Sequence, residues 1–182
     1  HSEKVPNIAS HGRFLELRWQ HRPQPGRGEW QTLYKRPRYG LSLLLMDFGN
    51  PGLLGYGLGV VPHFNFHLVN RPISHLGIRL GTGLGFFNRT FYTSGTWRNR
   101  AVGSHVEGCL QLALDYYQRL GKTGYGSRVE LQFGFGLTHF SNGNIKEPNW
   151  GINCASLSFG AQYDIQGPTF EVTAPTAGWP RP

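Results

Sequence analysis

The feature that most constrains this chain is an alternation of period two, repeated along most of its length. Val129, Leu131, Phe133, Phe135 and Leu137 make an apolar row, and Glu130, Gln132, Gly134, Gly136 and Thr138 fall between them. Successive side chains of a strand point to opposite faces, so such a stretch folds as a strand with one apolar and one polar side. The same pattern sets Leu15, Leu17 and Trp19 against Glu16, Arg18 and Gln20, and Leu58, Val60, Phe64, Phe66 and Leu68 against Gly59, His63, Asn65 and His67. It sets Leu76, Ile78, Leu80, Leu84 and Phe86 against Gly77, Arg79, Gly81, Gly83 and Gly85, and Val106, Leu110, Leu112, Leu114 and Tyr116 against Glu107, Gln111 and Asp115. Finally Ala155, Leu157, Phe159, Ala161 and Tyr163 oppose Ser156, Ser158, Gly160, Gln162 and Asp164. Between Tyr39 and Phe48 the run Leu43-Leu44-Leu45-Met46 is apolar on both sides and leaves the facing open. Seven strands are expected, over 12–21, 38–48, 55–69, 74–87, 102–118, 127–141 and 152–165.

Two all-β architectures alternate in this way. A water-soluble sandwich turns its apolar face inward and its polar face to solvent; a membrane barrel turns the apolar face to lipid. Here the polar side is mostly glycine, small residues and isolated charges of both signs. That suits the crowded lumen of a small barrel, where Arg18 and Arg79 can pair with Glu16, Glu107, Asp115 or Glu130. The apolar rows run for about ten residues, the length a tilted strand needs to cross a bilayer. The pattern therefore favours an antiparallel transmembrane β-barrel. The mean hydropathy of -0.37 agrees, because only every second residue of a barrel strand meets lipid. A length of 182 residues fits one domain. The barrel is expected over 1–165, with an irregular, proline-rich tail over 166–182. Trp19, Trp30, Trp97 and Trp150 fall near strand ends or in connections, where they read either as interfacial aromatics or as ordinary loop and core aromatics.

The formal charge is +8, and its basic residues sit in connections: Arg22, Arg27, Lys35, Arg36 and Arg38, then Arg89, Arg98 and Arg100. A basic rim attracts anionic lipid head groups or other polyanions. Nucleic acid is disfavoured, since the basic residues are spread over loops and no recognition motif accompanies them. Cys109 and Cys154 lie on the inferred polar side with one strand between them, and are expected as buried free thiols. His63, His67, His75 and His105 are scattered without metal-ligand spacing, so no metal and no cofactor is expected. His1-Ser2-Glu3-Lys4 is not followed by an apolar run, and the numbering is expected to start in a mature or trimmed chain.

The chemistry-bearing segment is Leu137-Thr138-His139-Phe140-Ser141-Asn142-Gly143, followed by Glu147-Pro148-Asn149-Trp150-Gly151-Ile152-Asn153. His139 and Ser141 are two apart on one strand and leave the same face, continuing the apolar row. A serine nucleophile needs that neighbour: an imidazole to take its proton, oriented in turn by a third polar group. Asn153, on the apolar side of the next strand, is the candidate for the third position.

The run His139-x-Ser141-Asn142-Gly143, with Pro148-Asn149-x-Gly151-Ile152-Asn153 downstream, resembles the outer-membrane lipid A 3-O-deacylases, a group that includes proteins called acyloxyacyl hydrolases. Upstream, Trp30-Gln31, Tyr34, Pro37-x-Tyr39-Gly40, Asp47-Phe48-Gly49-Asn50-Pro51 and Leu54-Gly55 look like the Bacteroidota branch of that family. The resemblance implies an eight-stranded outer-membrane barrel that hydrolyses the acyl ester at the 3-position of lipid A, with its catalytic residues on the membrane-facing surface. It implies His139, Ser141 and Asn153 as the triad, and Asn142 together with a backbone amide at Asn144 as the oxyanion donors. Two departures accompany it. The family's third residue is a glutamate where this chain has Asn153, and Glu147 is the one carboxylate in the motif loop that offers an alternative. Seven strands are countable where the family has eight, so the missing one either precedes His1 or is supplied by residues 169–174. Lipopolysaccharide is then the partner, with a homo-oligomer or an outer-membrane complex partner left open. The competing function is a non-catalytic barrel, a structural or scaffolding subunit, and the amide at 153 is the feature that favours it.

Overall fold

The computed structural model describes residues 11–23, 34, 36–93, 97–120 and 129–165. Among these the chain forms strands and no helix: β1 (Arg13–His21), β2 (Arg38–Asp47), β3 (Tyr56–Asn70), β4 (Ser74–Phe87), β5 (Val106–Arg119), β6 (Val129–Ser141) and β7 (Ile152–Tyr163). Each pairs antiparallel with the next in chain order, giving one sheet of seven strands. The sheet curls until side chains of distant strands meet inside it. Arg79 of β4 reaches Glu16 of β1 at 3.0 Å, and Arg18 of β1 reaches Tyr117 of β5 at 3.1 Å. The strands β1 and β7 face one another across an opening lined by residues of both, bridged at one end by Arg22 and Asp164 at 3.8 Å, but they are not paired.

The alternation is realised with its apolar row outward. Leu17, Leu110, Phe133 and Leu157 are exposed, while Arg79, Asp115 and Glu130 are buried. A continuous apolar exterior is what a bilayer, not water, solvates. The exterior is bordered by aromatics: Trp19, Tyr39, Tyr116 and Tyr163 towards one end, Tyr56, Phe86, Trp97 and Trp150 towards the other. Strand β2, ambiguous in the sequence, turns Leu41, Leu43 and Leu45 outward and Leu44 and Met46 inward. Strand β5 starts at Val106, four residues later than the alternation suggests, because Val102 and Gly103 are buried in a loop that folds under the end of the barrel. The tail at 166–182, its candidate strand 169–174, and residues 1–10 lie outside the described residues.

The interior divides in two. One half holds an ionic network. Arg79 lies 2.9 Å from Asp115 and 3.0 Å from Glu16, Arg18 lies 2.7 Å from Glu16, and Gln132 donates to Asp115 at 2.9 Å. Towards the end of the sheet where Tyr163 lies, Glu130 is paired with Arg119 at 3.0 Å and with Arg38 at 3.6 Å. Of the pairings expected for Arg18 and Arg79, those with Glu16 and Asp115 form, and Glu107 takes no part. The other half is an apolar plug of Leu44, Met46, Phe48, Leu54, Val61, Phe87, Val102, Cys109 and Phe140. Cys109 and Cys154 are free thiols, as expected, Cys109 buried and Cys154 only half-buried at the side of the β1–β7 opening.

Candidate active site

His139 and Ser141 close β6, and Asn153 opens β7 directly opposite His139 in the register. Directly opposed residues of an antiparallel pair share a face, so the imidazole and the amide meet on the outside of the sheet. His139 Nδ1 and Asn153 Oδ1 are 2.8 Å apart. Because the amide oxygen only accepts, the proton sits on Nδ1 and the lone pair of Nε2 is left for a second partner. Phe140, between the two outward residues, points inward and is fully buried. Its ring packs edge-on against Phe87 at 5.4 Å and Phe48 at 6.5 Å between centroids, so the plug anchors this strand end from beneath.

Ser141 does not bond to His139 in this structure. Its Oγ is 3.2 Å from the Gly143 N–H, which donates to it, and 2.8 Å from the Asn149 side-chain amide. On its other side that amide meets Glu107 Oε2 at 3.2 Å. A carboxylate requires a donor, so the NH₂ of Asn149 faces Glu107 and its oxygen accepts from the serine hydroxyl. Glu107 is buried and also accepts from the Ser104 N–H at 3.1 Å. Neither Asn149 nor Glu107 stands out as a site residue in the sequence. Asn149 lies in a loop without periodicity, and Glu107 occupies an ordinary inward position of β5; the Pro148-Asn149 step is the one available signal.

The remaining site residues fall in the β6–β7 loop. Asn142 is buried, with Nδ2 donating to Ser104 Oγ at 3.1 Å and to the Lys146 carbonyl at 3.0 Å. Asn144 has φ of 66° and donates to Glu147 Oε1 at 3.1 Å, so these two exposed side chains engage each other at the loop tip. The β4–β5 loop supports this one from below. Gly103 is required there, since a Cβ would lie 2.3 Å from the Lys146 carbonyl oxygen. Gly151, at φ of 71°, fits under His139, where a Cβ would stand 3.1 Å from Cε1. Asn99, fully buried, ties three segments together by donating to the carbonyls of Leu53 and Arg89 and accepting from the Val102 N–H.

The outer surface beside the serine is open. Gly108 is the cross-strand partner of Ser141 and interrupts the outward row Val106, Leu110, Leu112, Leu114 and Tyr116 with a position lacking a side chain. Next to it, a shallow apolar depression bordered by Phe64, Leu80, Leu110, Leu137 and Ala155 runs up to His139 and Asn153. Among the described residues no cluster of His, Cys, Asp and Glu gathers as a metal ion would need.

Fold and site together define a class: an antiparallel sheet curled like an outer-membrane barrel, carrying serine, histidine and an acceptor for the imidazole on its apolar exterior. A family model described as lipid A 3-O-deacylase (PagL) matches residues 13–162, and the chain belongs to that family. No curated protein and no solved structure matches it.

Proposed function

We propose that this chain is a serine esterase of the Gram-negative outer membrane, removing the ester-linked 3-O acyl chain from lipid A with His139, Ser141 and Asn153 as its triad. The observation that carries the reading is the 2.8 Å contact between His139 Nδ1 and Asn153 Oδ1, on the outward, apolar side of the sheet and two residues from Ser141. A scaffold without catalysis has no need of an oriented imidazole there.

In this mechanism the acyl chain lies along the apolar depression and enters beside Gly108, bringing its ester carbonyl to Ser141. The hydroxyl turns from Asn149 to His139 Nε2, gives up its proton, and Oγ attacks the carbonyl carbon. Gly143 N–H already points at Oγ. Asn142, once released from Ser104 or Lys146, and the backbone amide at Asn144 donate to the oxyanion. The imidazolium returns its proton to the departing 3-oxygen of the sugar, leaving an acyl-serine. Water then attacks that ester with His139 again as base, releasing the fatty acid. Asn153 fixes the tautomer without charge, so the imidazolium is stabilised less than a glutamate would stabilise it. Glu147 is the alternative acid for His139, and its bond to Asn144 makes it the weaker one. An additional strand pairing with the free edges of β1 and β7 would complete the barrel, since open edges in lipid leave amides unpaired.

Mass spectrometry of lipid A from cells expressing the chain tests the reading. Loss of one 3-O acyl chain with the native sequence, and none with Ser141→Ala, is the expected result. Unchanged lipid A in both would leave the scaffold reading.

A further inference from the structure

The loops on the active-site side carry a set of cations that the catalytic reading does not use. Arg100 lies 4.4 Å from the ring centre of Trp150, Arg98 4.9 Å from that of Trp97, and the Lys146 ammonium 4.2 Å from that of Tyr92. Stacking on a ring engages the face of a guanidinium and leaves its in-plane N–H donors free, in the fork that matches phosphate oxygens. All three cations are exposed, and among the described residues none has a carboxylate partner. The arginines inside the curl of the sheet differ: Arg18, Arg38, Arg79 and Arg119 are all paired with Glu16, Asp115 or Glu130. The acids near the rim are engaged elsewhere. Glu147 accepts from Asn144, Glu107 is buried beneath Asn149, and Asp47 accepts from the Gly49 N–H.

The rim is also held in register with the nucleophile. Trp150 N–H donates to the Arg100 carbonyl at 3.0 Å and Gly151 N–H to that of Ala101 at 3.1 Å, and Gly151 is the residue packed under His139. Tyr92 Oη donates to the Glu147 carbonyl, and the Lys146 carbonyl accepts from Asn142, the neighbour of Ser141. Exposed tryptophans mark this level as the boundary between the apolar exterior and water, the depth at which lipid head-group charges lie.

From this arrangement we propose that Arg98, Arg100 and Lys146, seated on Trp97, Trp150 and Tyr92, form a binding site for the phosphate-bearing sugar head group of a glycolipid, setting which of its esters reaches Ser141. The assignment of the ester rests on the deacylase reading; the binding of the phosphorylated head group does not.

The test uses the Ser141→Ala chain in detergent micelles, so that binding is read without turnover. Its affinity is measured for bis-phosphorylated lipid A and for the same lipid with its phosphates removed, and again after Arg98→Gln, Arg100→Gln and Lys146→Gln are added. The phosphorylated form should bind about tenfold tighter or more, and the three substitutions should erase that preference while leaving affinity for the phosphate-free form unchanged. Equal affinity for the two lipids at the outset, or a preference that survives the substitutions, would overturn the proposal. Displacement of the lipid by millimolar inorganic phosphate would assign the site to the free anion and overturn it as well. A phosphate preference that the substitutions erase, in a chain whose native form leaves lipid A intact, would remove the deacylase reading alone.

Discussion

At the loop end of the barrel the inward side chains are Leu44, Met46, Phe48, Phe87 and Phe140, whereas further towards the other end of the sheet they are Arg18, Arg79, Asp115 and Glu130. Both halves fill the lumen, by different physics. The plug is held by close packing, and removing a ring leaves a cavity. The network is held by paired charges, and removing one partner leaves the other short of a counter-charge in the interior. Only the plug is tied to the chemistry, because Phe140 lies between His139 and Ser141 in the chain and decides where both point. The interior network, on this account, holds the curl of the sheet and has no part in the reaction.

The largest expected effect separates the outer cluster from either half of the interior. Asn153→Ala should lower the deacylation rate by roughly a hundredfold to ten-thousandfold without altering the fold, the loss typical when an imidazole is freed from its orienting partner. Asn153→Glu should retain or raise the rate. A rate unchanged in Asn153→Ala would mean that another group, with Glu147 the first to examine, orients His139.

The comparison itself is sharpened by one substitution in each half. Phe140→Ala should cost about 3–5 kcal/mol of stability and also lower activity, because the strand end loses its anchor. Asp115→Ala should cost up to a similar amount, about 3–5 kcal/mol, by taking from Arg79 one of its two carboxylate partners and from Gln132 its carboxylate acceptor, while the folded fraction keeps its rate. Denaturant titration in micelles beside rate per folded molecule would show this, and equal activity losses in the two variants would break the distinction.

Inside against outside comes next in size. Phe133→Arg places a cation on the apolar exterior and should destabilise the protein by about 2–4 kcal/mol in a bilayer refolding assay, whereas Gln132→Arg, on the lumen side beside Asp115, should be milder. Equal tolerance would reverse the facing. The smallest effect is expected at the gap beside Ser141. Gly108→Leu should reduce turnover of long-chain substrate about tenfold, roughly 1.4 kcal/mol. Unaltered turnover would show that the acyl chain reaches Ser141 from another side.

Much of this architecture is legible in the sequence alone. A period of two is a property of the strand itself, so seven strands and the outward facing of His139, Ser141 and Asn153 follow from it. The pattern fails where long-range packing overrides that period. Strand β2 is ambiguous at Leu43 to Met46 because its inward side there faces the plug and is as apolar as its outward side. Val102 reads as part of β5 because a buried loop residue looks like a strand residue in one dimension. Glu107 and Asn149 escape notice because the β6–β7 loop must first fold back over Ser104 to bring them to the serine, and no local pattern encodes that return. Arg98 and Arg100 are visible as part of a basic rim, and Trp97 and Trp150 as aromatics at strand ends, but the pairing of the cations with the rings, and the place of Lys146 and Tyr92 among them, are not.

The central claim, that Ser141 is a nucleophile activated by His139 on the outer face, is tested most directly by covalent labelling. The folded protein in micelles is incubated with an alkyl fluorophosphonate, and the adduct is mapped by mass spectrometry. The expected result is a single adduct on Ser141, formed at least about a hundredfold more slowly in His139→Ala. An adduct on another residue, or labelling of Ser141 at an undiminished rate without His139, would contradict the account.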